Sequence, residues 1–241
     1  LAVGYLGSLN FSKLHPNFTS WAASVQLPNF RVRLIGDPVN NMVLKEQAAA
    51  LGRTKLFEFS GYTNDIATAL ASIDVMAYLL NPRHYGTAEN ALVEAMAMGV
   101  VPVVLNNPAE RFIVEDGVTG IVISSGYQLN DVLNRLAGDP EKFNAMSDRA
   151  SREVRRRFSS ERMETDFRKK YLSLVAEPKH PIDFKKIFGN TPADWFLSCQ
   201  SESMLYGMDG RLNIKPESPI PHDQFEMSKG SVFQFSRYFP A

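Results

Sequence analysis

Apolar positions fall into short unbroken runs separated by stretches where they recur every three or four residues, an alternation that lasts for about the first 175 residues. AVGYLGSL (2–9) reads as a strand, and HPNFTSWAASVQL (15–27) as a helix turning Phe18, Trp21, Ala22 and Val25 inward. FRVRLI (30–35) is a second strand, and VNNMVLKEQAAALG (39–52) a helix stopped by Gly52. KLFEFS (55–60) is a third strand, and TNDIATALASI (63–73) a helix with Asp65 at its N-terminus. DVMAYLL (74–80) is a fourth strand and feeds the loop NPRHYG (81–86).

YGTAENALVEAMAMG (85–99) predicts a loop, a helix and a glycine stop. Thr87 suits the N-cap, since its hydroxyl can accept from an unpaired first-turn amide. Ala88, Ala91, Leu92, Ala95 and Met96 make one apolar face. Gly99 stands where a left-handed residue ends a helix at little steric cost. The β-branched run VVPVVL (100–105) suits a strand buried on both sides. NPAERFIVE (107–115) reads as helix, Asp116-Gly117 as a turn and TGIVIS (119–124) as a short strand; helices follow over roughly 127–138, 140–157 and 160–175.

Strand–helix–strand repeated in this way implies α/β structure, a Rossmann-like doubly wound parallel sheet with right-handed crossovers. Ligands bind such sheets at the carboxyl ends of the strands. The candidate loops are therefore 7–13, 36–37, 61–63 and 81–86, all along one edge.

The chain changes character near its end. Residues 1–176 read as the sheet domain and 177–241 as an irregular extension, which holds seven of the fourteen prolines and aromatics with no sustained period. It is too apolar for a linker and too broken by proline for long helices or central strands.

Composition narrows the partners. The net charge is zero, with 26 basic and 26 acidic residues, so bulk electrostatics suggests neither nucleic acid nor an anionic membrane. There is one cysteine, Cys199, which excludes an internal disulfide and fits a reducing, cytoplasmic setting. No apolar run is long enough to span a bilayer, which leaves peripheral membrane contact open. The opening LAVGYLGS, without Met and already in a strand pattern, reads as a piece of a longer protein.

Asn90 and Glu94 are four residues apart, hence stacked on a second helix face near its N-terminus. Free amides and the helix dipole there favour an anion, and a carboxylate one turn in can accept from ribose hydroxyls. Spacing alone leaves Glu94 equally a solvated helix carboxylate. Gly4 and Gly7 close the first strand without forming the GxGxxG of a dinucleotide site, which disfavours an NAD-dependent oxidoreductase. Lys13 is a candidate phosphate cation or, on the same evidence, a surface lysine.

Taken together these stretches resemble the C-terminal, donor-binding half of GT-B glycosyltransferases, in particular family 4, the retaining group 1 enzymes. AENALVEAMAMGVVPVV followed by ERFIVEDGVTGIVI is similar to that family's acidic-motif helix, next strand and glycine turn. GYTNDIATALASIDVMAYLL is similar to the strand, helix and strand upstream, and GSLNFSK to its G-R-L-x-x-x-K loop.

The resemblance implies transfer of a sugar from a nucleotide-sugar to an acceptor hydroxyl, without metal or other cofactor. It places Glu94 on the ribose and Lys13 on the diphosphate, beside Gly7 and Ser8. Helix N-terminal amides join them around Gly86, Thr87, Glu89, Asn90, Ala91 and Leu92. Gly61 and Tyr62 lie toward the base. Catalysis would be stabilisation of the leaving diphosphate, with Lys13 and Arg83 as candidate cations.

The pattern is not complete. The family's first acidic-motif glutamate, eight residues before the second, is Gly86 here, a role left for Glu89, His84 or Tyr85. The loop arginine is Ser8, and Arg83 is a candidate to restore its charge. The family's N-terminal acceptor domain is missing as well, so this chain alone is expected to transfer nothing. A sugar-nucleotide epimerase of the same architecture and a non-catalytic nucleotide-sugar-binding module are the alternatives.

Overall fold

A computed structural model describes residues 1–84, 88–190 and 195. The chain divides into two compact units, Leu1–Leu172 and Ser173–Ala241.

In the first unit six parallel strands form one sheet in the order β3-β2-β1-β4-β5-β6. The strands are β1 (Val3–Leu6), β2 (Val32–Ile35), β3 (Phe57–Gly61), β4 (Val75–Tyr78), β5 (Val101–Leu105) and β6 (Ile121–Ile123). Between them run α1 (Phe18–Ala23), α2 (Asn41–Ala50), α3 (Ile66–Ala71), α4 (Asn90–Ala97) and α5 (Pro108–Ile113). After β6 come a 3-10 turn (Gly126–Gln128), α6 (Leu129–Gly138), α7 (Pro140–Arg157) and α8 (Ser160–Ala176). Every strand and helix expected in residues 1–175 is present, with ends shifted by a few residues.

Strands β1, β4 and β5 are buried at every position, as their unbroken apolar runs require. Phe18, Trp21, Ala22 and Val25 all lie in the core. Asp65 caps α3 by accepting the Thr68 amide at 3.0 Å. Pro102 stands in the interior strand β5, where a missing N–H would usually break a ladder. The Val101 amide donates to Asp74 next to β4, so alternation turns the Pro102 nitrogen the other way, just short of the start of β6. The neighbouring Gly120 is needed there, because a Cβ on it would stand 2.5 Å from the Pro102 ring.

In α4 the apolar face is carried by Leu92, Ala95 and Met96, with Ala91 half-buried and Ala88 exposed. The helix begins at Asn90, so Glu89 and not Thr87 occupies the N-cap position; Thr87, Tyr85 and Gly86 lie outside the described residues. Gly99 closes the helix at φ +83.

In the second unit α9 (Phe184–Phe188) is capped by Asp183, which accepts from the Lys186 amide at 3.1 Å. Phe188 packs on Trp195 with ring centroids 4.9 Å apart, and the Trp195 indole donates to the Gly189 carbonyl. Residues 191–194 and 196–241 lie outside the described residues.

Candidate functional site

The strand order reverses direction between β1 and β4, the point where an open parallel sheet leaves a crevice at its carboxyl edge. Two loops meet there. The loop after β1 carries Ser8 to Lys13, and its backbone is tied to the loop after β4. The Asn81 amide donates to the Lys13 carbonyl at 2.7 Å, and the Asn81 side chain donates to the Phe11 carbonyl at 2.9 Å. From the other side, Asp37 accepts the Leu9 amide at 3.2 Å and Asn40 donates to the Leu9 carbonyl at 2.8 Å. Gly7 and Gly36 come so close that a Cβ on Gly36 would lie 1.9 Å from the Gly7 carbonyl oxygen. A loop held on both sides keeps Lys13 in one place.

The Lys13 ammonium lies 3.2 Å from Glu89 Oε2 and keeps 27% of its side-chain surface exposed. Glu89 itself is buried at the head of α4. It accepts a 2.5 Å hydrogen bond from the Tyr78 hydroxyl, and Tyr78 is held protonated chiefly by burial and then by that bond. Tyr5 stacks on Tyr78, is likewise held protonated by burial, and donates to the Ser8 carbonyl.

Behind Glu89 lies His84, nearly buried. Its Nδ1 is 3.6 Å from Glu89 Oε1 and its Nε2 is 3.0 Å from Glu110 Oε1. Glu110, on α5, is fully buried, and burial pushes its carboxyl above the ordinary range. Glu89 Oε1 and the Glu110 carboxylate oxygens make no well-aligned hydrogen bond among the described residues, although the Glu110 amide and the Asn107 side chain lie close enough to favour the charged form of Glu110. His84, Glu89 and Glu110 each bring one potential metal-ligand atom within 4.8 Å of the others.

The expected site residues do not all gather in one contact network. Glu94 and Asn90 point to solvent from α4, one turn apart and on the crevice helix. The Leu92 amide donates to the Glu89 carbonyl at 3.0 Å and its side chain is fully buried, whereas the Asn90 and Ala91 amides have no backbone partner among the described residues. Gly61 takes φ +74 at the end of β3, two strands from the crevice, roughly 10 Å at ordinary strand spacing; Tyr62 beside it is 77% exposed. Arg83 is exposed, its amide donating to the Asn81 side chain. Gly86 and Thr87 lie outside the described residues.

Glu110, Tyr78 and Asp37 went unremarked as functional side chains in the sequence. Tyr78 is hidden inside an apolar strand run, and only the sheet order brings α5 beside the loop after β4. Next to Glu89 opens a largely apolar cleft of about 610 Å³, lined by Val93, Phe112 and Ile113 and edged by Arg157, Phe158 and Met163.

Residues 2–153 match the family model of "Glycosyl transferases group 1". The chain belongs to that family. Its glycosyl transferase fold recurs in solved structures. Anabaena Alr3699/HepE, solved with UDP and glucose, matches with a TM-score of 0.64 at 23% identity, over 71% of this chain and 48% of that one. Sucrose-phosphate synthase from Thermosynechococcus elongatus gives 0.63 at 20% identity, over 73% and 45%. The C-terminal domain of the group 1 protein LpcC from Francisella tularensis gives 0.53 at 18%, over 64% of this chain and 83% of that domain. This group 1 chain thus spans about half the length of the first two. No curated protein sequence matches it as a relative. The likeness bears out the expected Rossmann-like half of a GT-B fold. No helix among the described residues is long and apolar enough to cross a membrane.

Proposed function

We propose that this chain is the donor-binding domain of a retaining glycosyltransferase, which transfers a sugar from a nucleotide-sugar to an acceptor hydroxyl. The observation that carries the reading is Lys13, held at the β1–β4 crevice by ties to both neighbouring loops and still partly exposed. A fixed ammonium beside the Asn90 and Ala91 amides meets the charge that grows on a departing diphosphate without reorganising. Glu94 stands one turn along α4 to accept from the ribose, and Gly61 and Tyr62 stand across the edge toward the base. The bound UDP of the structurally similar Anabaena protein supports a nucleoside diphosphate as the ligand class.

Glu89 supplies the acidic group that Gly86 lacks. It sits beside the diphosphate lysine, tied to Tyr78, and replaces the missing family carboxylate from three residues further on. The acceptor binds to a second domain outside this chain, and the reaction takes place in the cytoplasm without a metal. α8 is suited to meet such a domain, because it buries none of its side chains and exposes Met163, Phe167 and Tyr171 at four-residue spacing.

The test is release of nucleoside diphosphate by the full-length protein from UDP-, GDP- and ADP-sugars, with mixed glycan and lipid acceptors. Release from one of the three, reduced by about 100-fold or more in Lys13→Ala, is expected. Release unchanged by that substitution contradicts the reading. Tight donor binding without release would instead support a non-catalytic binding module, the reading favoured by Gly86 and Ser8 and by a Lys13 already paired with a carboxylate.

A further inference from the structure

A lysine is a poor fixed charge by itself, because its flexible stem lets the ammonium wander and ordering it on binding costs affinity. Around Lys13 two tyrosines remove that freedom. Tyr78 ends β4 and Tyr5 lies on the neighbouring β1, both fully buried, with ring centroids 5.8 Å apart and 22° between the planes. Phe18 of α1 meets the Tyr5 ring edge-on at 6.0 Å and braces the pair. The two hydroxyls act at opposite ends of the lysine. That of Tyr5 donates to the Ser8 carbonyl at 2.9 Å and holds the backbone of the loop that carries Lys13. The loop wraps it closely, since a Cβ on Gly7 would stand 3.0 Å from this hydroxyl. That of Tyr78 donates to Glu89 Oε2 at 2.5 Å, and the Lys13 ammonium lies 3.2 Å from the same oxygen. The ammonium also stands 5.9 Å from the centre of the Tyr78 ring. Burial keeps Tyr78 protonated, so its hydroxyl is a donor to the carboxylate.

We propose that Tyr78, braced by Tyr5, is a positioning residue for Lys13: it sets the Glu89 carboxylate on which the ammonium rests and so presents that ammonium to the diphosphate. The inference rests on the donor-site reading above. One carboxylate oxygen serves two donors. The hydroxyl fixes where that oxygen stands and takes part of its accepting capacity. The ammonium has three N–H donors, so a single carboxylate contact places it and leaves the others for the crevice. Both tyrosines are buried and act through the lysine, not on the nucleotide itself. Without the Tyr78 hydroxyl, Glu89 Oε2 depends on Lys13 alone, and the ammonium is drawn onto the carboxylate and away from the crevice.

The experiment is calorimetric titration of the full-length protein with UDP, GDP and ADP. Wild type stands beside Tyr78→Phe, Tyr5→Phe, Lys13→Ala and the two double variants, those lacking Lys13 being titrated at correspondingly higher nucleotide concentration. Each Phe keeps the ring and removes only the hydroxyl. Tyr78→Phe is expected to weaken binding of the recognised nucleotide by about tenfold and Tyr5→Phe by less, within the coupling found between groups of one hydrogen-bond network. In the Lys13→Ala background both are expected to change affinity by less than about twofold, because the group they place is gone. Circular dichroism checks that each variant is folded; should Tyr78→Phe not be, Tyr5→Phe and its double variant decide. Unchanged affinity in the folded single variant overturns the inference and leaves the donor site standing. So does a loss of the same size with and without Lys13, the mark of a merely structural tyrosine. Binding by none of the three nucleotides, or binding that Lys13→Ala leaves untouched, overturns the donor reading and this inference with it.

Discussion

Glu110 is fully buried, and burial holds its carboxyl above the ordinary range, with the nearby Glu89 charge acting in the same direction. A raised carboxyl contributes most below its ordinary value, and that contribution is lost as pH climbs through the higher value of the folded state. Glu110→Gln removes this dependence. Its stability relative to wild type, read by urea denaturation at a series of pH values, should rise as pH increases from about 4.5 toward neutrality. A difference that stays flat with pH would contradict the account of Glu110 as a buried, charge-penalised acid. At this scale the sequence was only partly legible. Lys13 and Glu94 stood out through the family resemblance, since spacing alone left each equally a solvated surface side chain. Glu89 was visible as a helix-end position and as one of three candidates for the missing family glutamate, but nothing local says that its carboxylate turns inward to Tyr78 and Lys13. His84 looked equally like a loop histidine, and its carboxylate neighbours come from two different helices.

Among the elements, the close approach of the loops after β1 and β2 is the feature on which the site most depends. Gly36 allows it, since the Gly7 carbonyl fills the space that a side chain would need. Gly36→Ala must push the two loops apart, at a cost of about 1–3 kcal/mol typical of overpacking a close contact. Thermal and urea midpoints should fall accordingly, and nucleotide affinity should fall with them, because the same loop carries Lys13. An unchanged midpoint would show that the loops are not in fact locked. The elements themselves were legible because each strand is an apolar run and each helix a three-to-four periodicity, buried as the pattern requires. The start of α4 was not. Thr87 has the right chemistry for a cap, yet the helix begins three residues later, and the buried Glu89 takes the capping position to face Lys13 and Tyr78. Cap propensity is a local preference of about 1 kcal/mol, which a buried ion pair and hydrogen bond can outweigh.

For the whole molecule, doubly wound topology does the positioning. The order β3-β2-β1-β4-β5-β6 puts the loops of β1 and β4 side by side at the reversal point, although 70 residues separate Phe11 from Asn81. A doubly wound parallel sheet was foreseeable from alternating strands and helices with right-handed crossovers, while the strand order itself was not, because handedness does not say where the winding reverses. The family was foreseeable from the acidic-motif helix and its downstream glycine turn. The extension was not legible beyond its proline and aromatic content, since no period or motif ties it to a surface. The central claim is that this edge of the sheet binds a nucleoside diphosphate through Lys13 and Glu94. Its most direct test is calorimetric titration with UDP, GDP and ADP, wild type beside Lys13→Ala and Glu94→Ala. One nucleotide should bind, and each substitution should weaken it by about 1.5–3 kcal/mol, the worth of a hydrogen bond to a charged group. Binding that is indifferent to both substitutions, or no binding by the full-length protein, would contradict the account.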